Sequence, residues 1–364
     1  MRPVSVRIMH PEPGPAAGPI ERWVSARRAT LAACHCRAFA AAGATDVAIV
    51  SGPPDDRSFG ARVRDLVRAE RPAGMVVLGS GAIPLAGRGD LAAFVGAAGD
   101  DGRVALANNR FSADVVAIAR ADVLADLPDL PGDNALPRWL EEVAGYEVRD
   151  LRRRWRLAVD VDGPLELVLL GDRSAPAELG LGPVGARLAA LRAVAADRRA
   201  EVVVSGRTSA AGLAWLERSV AARIRAFVEE RGLRASTRLA QAGDVDFPAD
   251  PTSLRPPASL LGILLDRDGA GSLGRHLARL GDGAMIDSRV LLAHRSGADE
   301  AGWPPAEDRF ASDLLVPDRI ADPWLRELTE AALRAPVPVL LGGHSLVGPG
   351  VRLVFGPSRA ARWT

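Results

Sequence analysis

The chain has 364 residues, which exceeds one domain of average size and is comfortable for two. Apolar residues make up 48% and charged residues 25%, the composition of a folded globular protein, so a disordered or fibrous chain is excluded. Lys and Arg together number 46 against 45 Asp and Glu, a net charge of +1. Because no strong basic field is available, neither nucleic acid nor an anionic membrane is expected as a partner.

All 46 cationic side chains are arginine, because the sequence contains no lysine. Mechanisms that clamp phosphate with lysine or form a Schiff base are therefore excluded. Cys34 and Cys36 flank His35 in an Ala-rich helical stretch. Positions two apart on a helix point to nearly opposite sides, so these side chains are predicted to pack the helix rather than to bind one metal ion.

The N-terminal residues lack the apolar core of a signal peptide, and every apolar stretch ends well short of a membrane span. Two cysteines allow at most one disulfide, which suits a reducing compartment. We therefore expect a cytoplasmic protein without a membrane segment.

In the first half, short β-branched runs alternate with Ala-, Leu- and Arg-rich helical stretches, the pattern of an α/β domain. The pattern predicts a mostly parallel sheet. Strands are predicted at 4–9, 46–50, 75–78, 104–107, 113–119 and 155–161, with helices at 25–42, 59–70, 90–98 and 135–143.

A Gly- and Pro-rich stretch at 169–186 is the predicted boundary, giving domains 1–172 and 183–364. The second half also alternates and is predicted to be a second α/β domain. Its predicted elements are a helix at 184–196, a strand at 201–204, a long amphipathic helix at 209–232, a loop at 233–258, and central strands at 259–265 and 337–341.

Several segments of the first half, taken in order, resemble the molybdenum-cofactor and phospholactate guanylyltransferases. These segments are RRATLAACHCRAFAAAGATDVAIVSG (27–52), MVVLGSGAIPLAGRGDLAAFV (75–95), VALANNRFSADVVAI (104–118), LPGDNALPRWLEEVAGYEVRDL (130–151) and WRLAVDVDGPLEL (155–167). The resemblance implies a nucleotidyltransferase fold of glycosyltransferase-A-like type over residues 1–170. It also implies a transferase that joins a nucleoside monophosphate to a phosphorylated metabolite with Mg²⁺.

Two positions depart from that family. Its metal loop has an aspartate two residues before a proline, where this chain has Ala82 before Pro84. A methyl group cannot ligate Mg²⁺, which requires oxygen ligands. The family's glycine-rich, lysine-containing phosphate loop is replaced by HPEPGPAAGPIERW, in which Gly14 and Gly18 are the candidates for an anion-binding nest of backbone amides.

Asp162 matches the family's second metal-binding aspartate, and Asp160 lies beside it. Two positions apart on an extended chain, both side chains reach one cation, so they are the predicted ligands of a weak, nucleotide-dependent Mg²⁺ site. The resemblance also predicts that Ala82 and Asp162 face one cleft at the carboxyl ends of strands. The alternative is a plain turn, because Asp-Gly-Pro favours turns without any metal.

Two segments, DVDGPL (160–165) and DRDGAG (266–271), resemble the nucleophile motif of haloacid-dehalogenase-like phosphatases. In that family the first aspartate attacks phosphorus after a buried strand. Both segments lack the motif's threonine, and the chain has no lysine to stabilise the phosphate. Despite these two departures, the resemblance makes a phosphatase or other hydrolase centred on the second half the alternative function.

Two loops of the second half are candidate anion sites. SGRTS follows a predicted strand, so Arg207, Thr208 and Ser209 stand where a helix begins and its amides favour negative charge. The alternative is a simple helix cap. In LLGGHSLVGPG, Gly343 and His344 follow a buried strand, either as part of a ligand site or as the turn of a hairpin.

One charged group is expected to lie on a solvated face in salt bridges. It consists of Asp287, Arg289, Asp308, Arg309 and Asp313. Taken together, the sequence predicts a two-domain, nucleotidyltransferase-like protein that binds a nucleotide or a phosphorylated small molecule. Whether it catalyses transfer or is a degenerate relative stays open at this point, because Ala82 and the missing lysine remove parts of the family's machinery.

Overall fold

Strands and helices alternate through the chain as the sequence predicts. The computed structural model describes residues 2–229, 258–297 and 299–357. These residues group into two compact units, the first formed by residues 2–18 and 22–161, the second by Pro19–Glu21 and the described residues from Asp162 on. Residues 162–172, placed in the first domain from the sequence, thus group with the second unit.

The first unit contains a six-stranded sheet. Its strands are β1 (Val4–Pro11), β2 (Asp46–Gly52), β3 (Gly74–Gly79), β4 (Val104–Ala107), β5 (Val115–Ala119) and β6 (Glu147–Asp150). Its helices are α1 (Pro19–Ala41, of which Pro19–Glu21 group with the second unit), α2 (Phe59–Glu70), α3 (Arg88–Ala98) and α4 (Leu136–Glu142), with 3-10 turns at Ala121–Asp126, Asp133–Ala135 and Trp155–Ala158. The strand order is β2-β1-β3-β5-β4-β6, and only β5 runs antiparallel to its neighbours. The predicted, mostly parallel sheet is confirmed.

Both faces of this sheet are buried, as a sheet covered by helices on two sides requires. On β3, Val76 and Leu78 belong to one apolar cluster with Phe39 of α1, whereas Met75 and Val77 belong to the other. This alternation follows from the two-residue period of a strand.

The second unit contains a four-stranded, fully parallel sheet. Its strands are β7 (Glu201–Gly206), β8 (Arg223–Val228), β9 (Gly283–Asp287) and β10 (Val339–Gly342), in the order β10-β9-β7-β8. The described helices are α5 (Pro164–Leu169), α6 (Gly182–Ala196), α7 (Ala210–Ser219), α8 (Leu260–Asp268), α9 (Leu273–Ala278), α10 (Ser288–Ser296), α11 (Ala306–Asp313), α12 (Pro323–Arg334), α13 (His344–Val347) and α14 (Val351–Phe355). Four 3-10 turns lie at Ala177–Leu179, Ala270–Ser272, Glu300–Gly302 and Pro317–Arg319. The predicted second α/β domain is confirmed.

Three predicted elements are wrong. The helix predicted at 209–232 ends at Ser219, where Val220 turns extended, and the chain continues as the edge strand β8. The strand predicted at 259–265 is helix α8, which Ser259 caps by accepting a hydrogen bond from the Gly262 amide. Short apolar runs carry too little periodicity to separate a strand from a helix.

The third wrong element is the strand predicted at 155–161, where the structure has the 3-10 turn Trp155–Ala158 and a single bridge at Asp160. The loop predicted at 233–258 falls outside the described residues except for its last position.

In each sheet there is one strand whose successors in the chain lie on opposite sides of it. In the first unit β2 lies on one side of β1 and β3 on the other, and in the second unit β8 and β9 flank β7 in the same way. Such switch points leave a crevice at the carboxyl ends of the two central strands, where open α/β sheets bind their ligands. The structure thus defines one candidate edge in each unit.

Candidate functional site

A histidine and a serine meet at the switch point of the first unit. His10 lies near the end of β1 and Ser80 directly follows β3, with the imidazole Nδ1 3.0 Å from the hydroxyl Oγ. Both side chains are buried. Burial lowers the pKa of His10, and the positive charge of Arg28 lowers it further. A neutral imidazole hydrogen-bonded to a hydroxyl therefore stands at this edge at pH 7.

The loop that resembles the family's metal loop is fixed to the segment before the unit's end. Ala82 pairs with Asp160 in an isolated antiparallel bridge, and the Val161 amide donates to the Gly81 carbonyl at 2.9 Å. Gly81 permits this approach, because a Cβ there would lie 2.7 Å from the Val161 oxygen. The buried Ile83 has φ +46°, a left-handed conformation that costs free energy for a branched side chain.

Two side chains from α1 hold this loop from the other side. The Arg28 Nε donates to the Val161 carbonyl at 2.6 Å, and His35 Nε2 lies 2.9 Å from the Ala82 carbonyl. Burial lowers the pKa of His35, so the neutral ring donates to that oxygen. His35 therefore positions the loop, and neither of the cysteines that flank it forms a disulfide.

The predicted magnesium ligands are divided between the two units. Asp160 is buried in its bridge to Ala82, while Asp162 is the first residue of the second unit and has an exposed side chain. Within that unit, the Asp162 Oδ2 lies 3.9 Å from the His344 Nδ1. Magnesium requires near-octahedral oxygen coordination, and the buried methyl group of Ala82 supplies none. Asp160 and Asp162 alone therefore offer fewer oxygen ligands than Mg²⁺ requires, and the remaining ligands would have to come from water or a bound phosphate.

The predicted amide nest lies between β1 and α1. The Gly14 carbonyl accepts from the Ala17 amide at 3.0 Å, and Gly18 caps α1 in an extended conformation. The next amides, those of Ile20 and Glu21, donate to the two carboxylate oxygens of Glu307 at 3.1 and 2.9 Å. These amides at the start of α1 are therefore already bonded to a carboxylate of the protein. Neither the sequence pattern nor the resemblance indicated this role for Glu307.

At the switch point of the second unit, an arginine and an aspartate form a partly buried ion pair. The Arg207 Nε and Nη2 donate to the Asp287 carboxylate at 2.6 and 3.0 Å. The Asp287 side chain is completely buried, and that of Arg207 is 21% exposed. Ser209 caps α7 by accepting from the Gly212 amide, and the Thr208 hydroxyl is buried without a partner among the described residues.

A second ion pair and a buried carboxyl lie in the same unit. Arg289 donates two hydrogen bonds to Asp313 at 2.5 and 2.7 Å, and Glu166 on α5 accepts from the Gly163 amide at 2.8 Å. Burial raises the pKa of Glu166 to about 8, and the negative charge of Asp313 adds to the effect. Glu166 is therefore neutral at pH 7.

The expected solvated salt-bridge face is wrong for most of its members. Asp287, Asp308 and Asp313 are buried, and Arg289 is 11% exposed. The spacing of these residues along the chain does not predict their burial, because the groups that pair with them come from separate loops or helices. Asp308, for example, accepts from the backbone amides of Ala321 and Asp322.

The segment after β10 forms short helices instead of a hairpin. Gly343 caps α13 in an extended conformation, and His344 is the first residue of that helix. The Ser288 hydroxyl donates to the Gly342 carbonyl at 3.1 Å, which fixes the end of β10 beside the end of β9. His344 is thereby held at the carboxyl edge of the sheet, where it was predicted as a ligand residue.

No protein-family model matches the chain, and a search of curated proteins finds no match either. Within the part of the chain that the structure describes, no helix is both long and apolar enough to cross a membrane. The site must therefore be interpreted from its own geometry.

Proposed function

We propose that the first unit binds a nucleotide or a phosphorylated small molecule at the carboxyl edge where β1 and β3 meet, as a nucleotidyltransferase-like protein of the cytoplasm. The observation that carries the proposal is the His10–Ser80 pair at the switch point of the sheet. Ligands of open α/β sheets bind in such crevices, and buried polar pairs there are candidates for ligand contacts.

Three features support an anionic ligand. Arg28 lies close enough to lower the pKa of His10, so its charge acts at this edge. The neutral imidazole of His10 and the hydroxyl of Ser80 supply hydrogen-bonding groups beside it. The loop 79–84 is fixed to the segment that contains Asp160 and Val161. The resemblance places the same loop and the same segment together at a nucleotide site.

The proposed function is binding alone, because two groups that support transfer of a nucleoside monophosphate in the resembling enzymes are missing. Ala82 stands where the resembling enzymes carry a metal-binding carboxylate, and no lysine is available to stabilise the departing pyrophosphate. The second half does not provide the strand end that the alternative function, a haloacid-dehalogenase-like phosphatase, requires before its first aspartate. Asp266 lies inside helix α8, whereas the motif requires its first aspartate at the end of a strand.

Thermal unfolding with ATP, GTP, CTP, UTP and inorganic phosphate, with and without Mg²⁺, tests the proposal. A ligand at a hundred times its Kd stabilises the native state by about 2.7 kcal/mol. Arg28→Ala and Ser80→Ala should each remove most of that stabilisation. Arg37→Ala is the matched control, because Arg37 is an exposed arginine on the same helix. The proposal is wrong if no phosphate-bearing ligand stabilises the wild type, or if Arg28→Ala and Ser80→Ala bind like Arg37→Ala.

A further inference from the structure

The switch point of the second unit holds an arginine in a fixed orientation. Gly206, at the end of β7, has φ +125°, and a Cβ there would lie 2.2 Å from the Cβ of Asp287. Only glycine allows this approach, which brings the Asp287 carboxylate within hydrogen-bond distance of the next residue, Arg207. The chain therefore uses a turn that requires glycine to place an ion pair where the ends of β7 and β9 diverge.

The guanidinium of Arg207 uses only one of its two edges for this ion pair. Nε and Nη2 bond to the two oxygens of Asp287, whereas among residues 2–229, 258–297 and 299–357 no acceptor lies within hydrogen-bond distance of Nη1. In Arg289 the Nη1 and Nη2 end of the guanidinium is occupied instead, since both nitrogens bond to Asp313 and Nη1 also bonds to Ser288. An arginine anchored through one edge presents the other as a planar pair of donors, a geometry that matches an oxyanion.

The charges around this edge favour a ligand with one negative charge. Arg207 is balanced by Asp287, and Arg289 is balanced by Asp313. Neither of these two arginines therefore brings a surplus positive charge for a dianionic phosphate. One open guanidinium edge is sufficient for a carboxylate.

We propose that Arg207 binds the carboxylate of a small metabolite at the carboxyl edge of the second sheet. The Nη1 and Nη2 hydrogens that point away from Asp287 donate to the two oxygens of the ligand. The neighbouring Thr208 hydroxyl, buried and without a partner among the described residues, offers a further polar contact at this turn. This site does not depend on nucleotide binding by the first unit.

The test is calorimetric titration of the full chain with acetate, lactate and inorganic phosphate at matched ionic strength. Replacing Arg207 alone by a neutral residue would leave Asp287 buried and unpaired, so the main variant combines Arg207→Gln with Asp287→Asn. This variant keeps the net charge and a hydrogen-bonded pair. Arg207→Lys keeps the ion pair but loses the planar second edge. Arg199→Ala, at an arginine that is 92% exposed in the same unit, is the control for replacing an arginine outside the proposed site.

We expect the wild type to bind at least one of the two carboxylates, and more tightly than phosphate. Affinity should fall about tenfold or more in the double variant and in Arg207→Lys, the loss expected for one charge-assisted hydrogen bond. Arg199→Ala should bind like the wild type. Absence of carboxylate binding, tighter binding of phosphate, or unchanged affinity in both Arg207 variants would each overturn the proposal. None of these results bears on nucleotide binding, which depends on Arg28.

Discussion

Replacing Glu166 by glutamine should make the second unit more resistant to alkaline unfolding. The Glu166 side chain is buried, and its Oε2 accepts a hydrogen bond from the Gly163 amide at 2.8 Å. Burial raises the pKa of this carboxyl from 4.5 to about 8, and the charges of Asp313 and Asp162 contribute to the rise. Glutamine keeps the accepting oxygen and the shape but cannot ionise.

The sign of the effect follows from proton binding in the two states. Below pH 4.5 the carboxyl is protonated in both the folded and the unfolded chain, so it adds no pH dependence. Between pH 4.5 and about 8 only the folded chain keeps the proton, and stability falls by about 1.4 kcal/mol per pH unit. Above pH 8 both states are ionised, and the accumulated loss levels off at about 5 kcal/mol.

Urea unfolding at several values between pH 5 and pH 9, followed by circular dichroism, measures this difference. The advantage of Glu166→Gln over the wild type should grow steadily up to about pH 8 and then stay constant. Glu178→Gln, the same substitution at an exposed glutamate of the unit, should follow the wild type throughout. A difference between Glu166→Gln and the wild type that is independent of pH would refute the reasoning.

Two further predictions concern the turns that build the two edges. Ala82→Asp places a carboxylate beside Asp160 and should strengthen Mg²⁺ binding in the presence of a nucleoside triphosphate by about tenfold, as measured by calorimetry; equal affinity in the parent chain would exclude a relic metal site here. Gly206→Ala should destabilise the second unit by about 3 kcal/mol or more in thermal unfolding, because of its positive φ and the collision with Asp287. Gly185→Ala, in helix α6 where an added Cβ meets open space, should instead be neutral or stabilise by up to about 1 kcal/mol, and similar losses in both variants would contradict this account.

The elements of the first unit were largely predictable because their signals are local. Strands β1 to β4 lie within about two residues of their predicted positions, since each is a short β-branched run between helix-forming stretches. The failures occurred where local patterns are ambiguous. Apolar residues at helical spacing after Ser209 also fit an edge strand, and only the pairing of β8 with β7 decides between them.

The candidate sites were less predictable, because their partners are far apart in the chain. His10 and Ser80 are separated by 70 residues, and Arg207 and Asp287 by 80. The order of the strands brings each pair together, and no spacing rule contains that order. The bridge between Ala82 and Asp160 was not predicted either, although the resemblance placed Ala82 in one cleft with Asp162, two residues further on.

Hydrogen–deuterium exchange of the full chain, with and without the nucleotide that gives the largest thermal stabilisation, tests the nucleotide-binding proposal most directly. The proposal predicts slower exchange in peptides covering residues 8–14 and 78–84, where β1 and β3 end, and no such protection in Arg28→Ala. Peptides covering residues 203–209 of the second unit should exchange as in the free protein. Protection that is absent at 8–14 and 78–84, or that persists in Arg28→Ala, would contradict the assignment of the first unit as the nucleotide-binding unit.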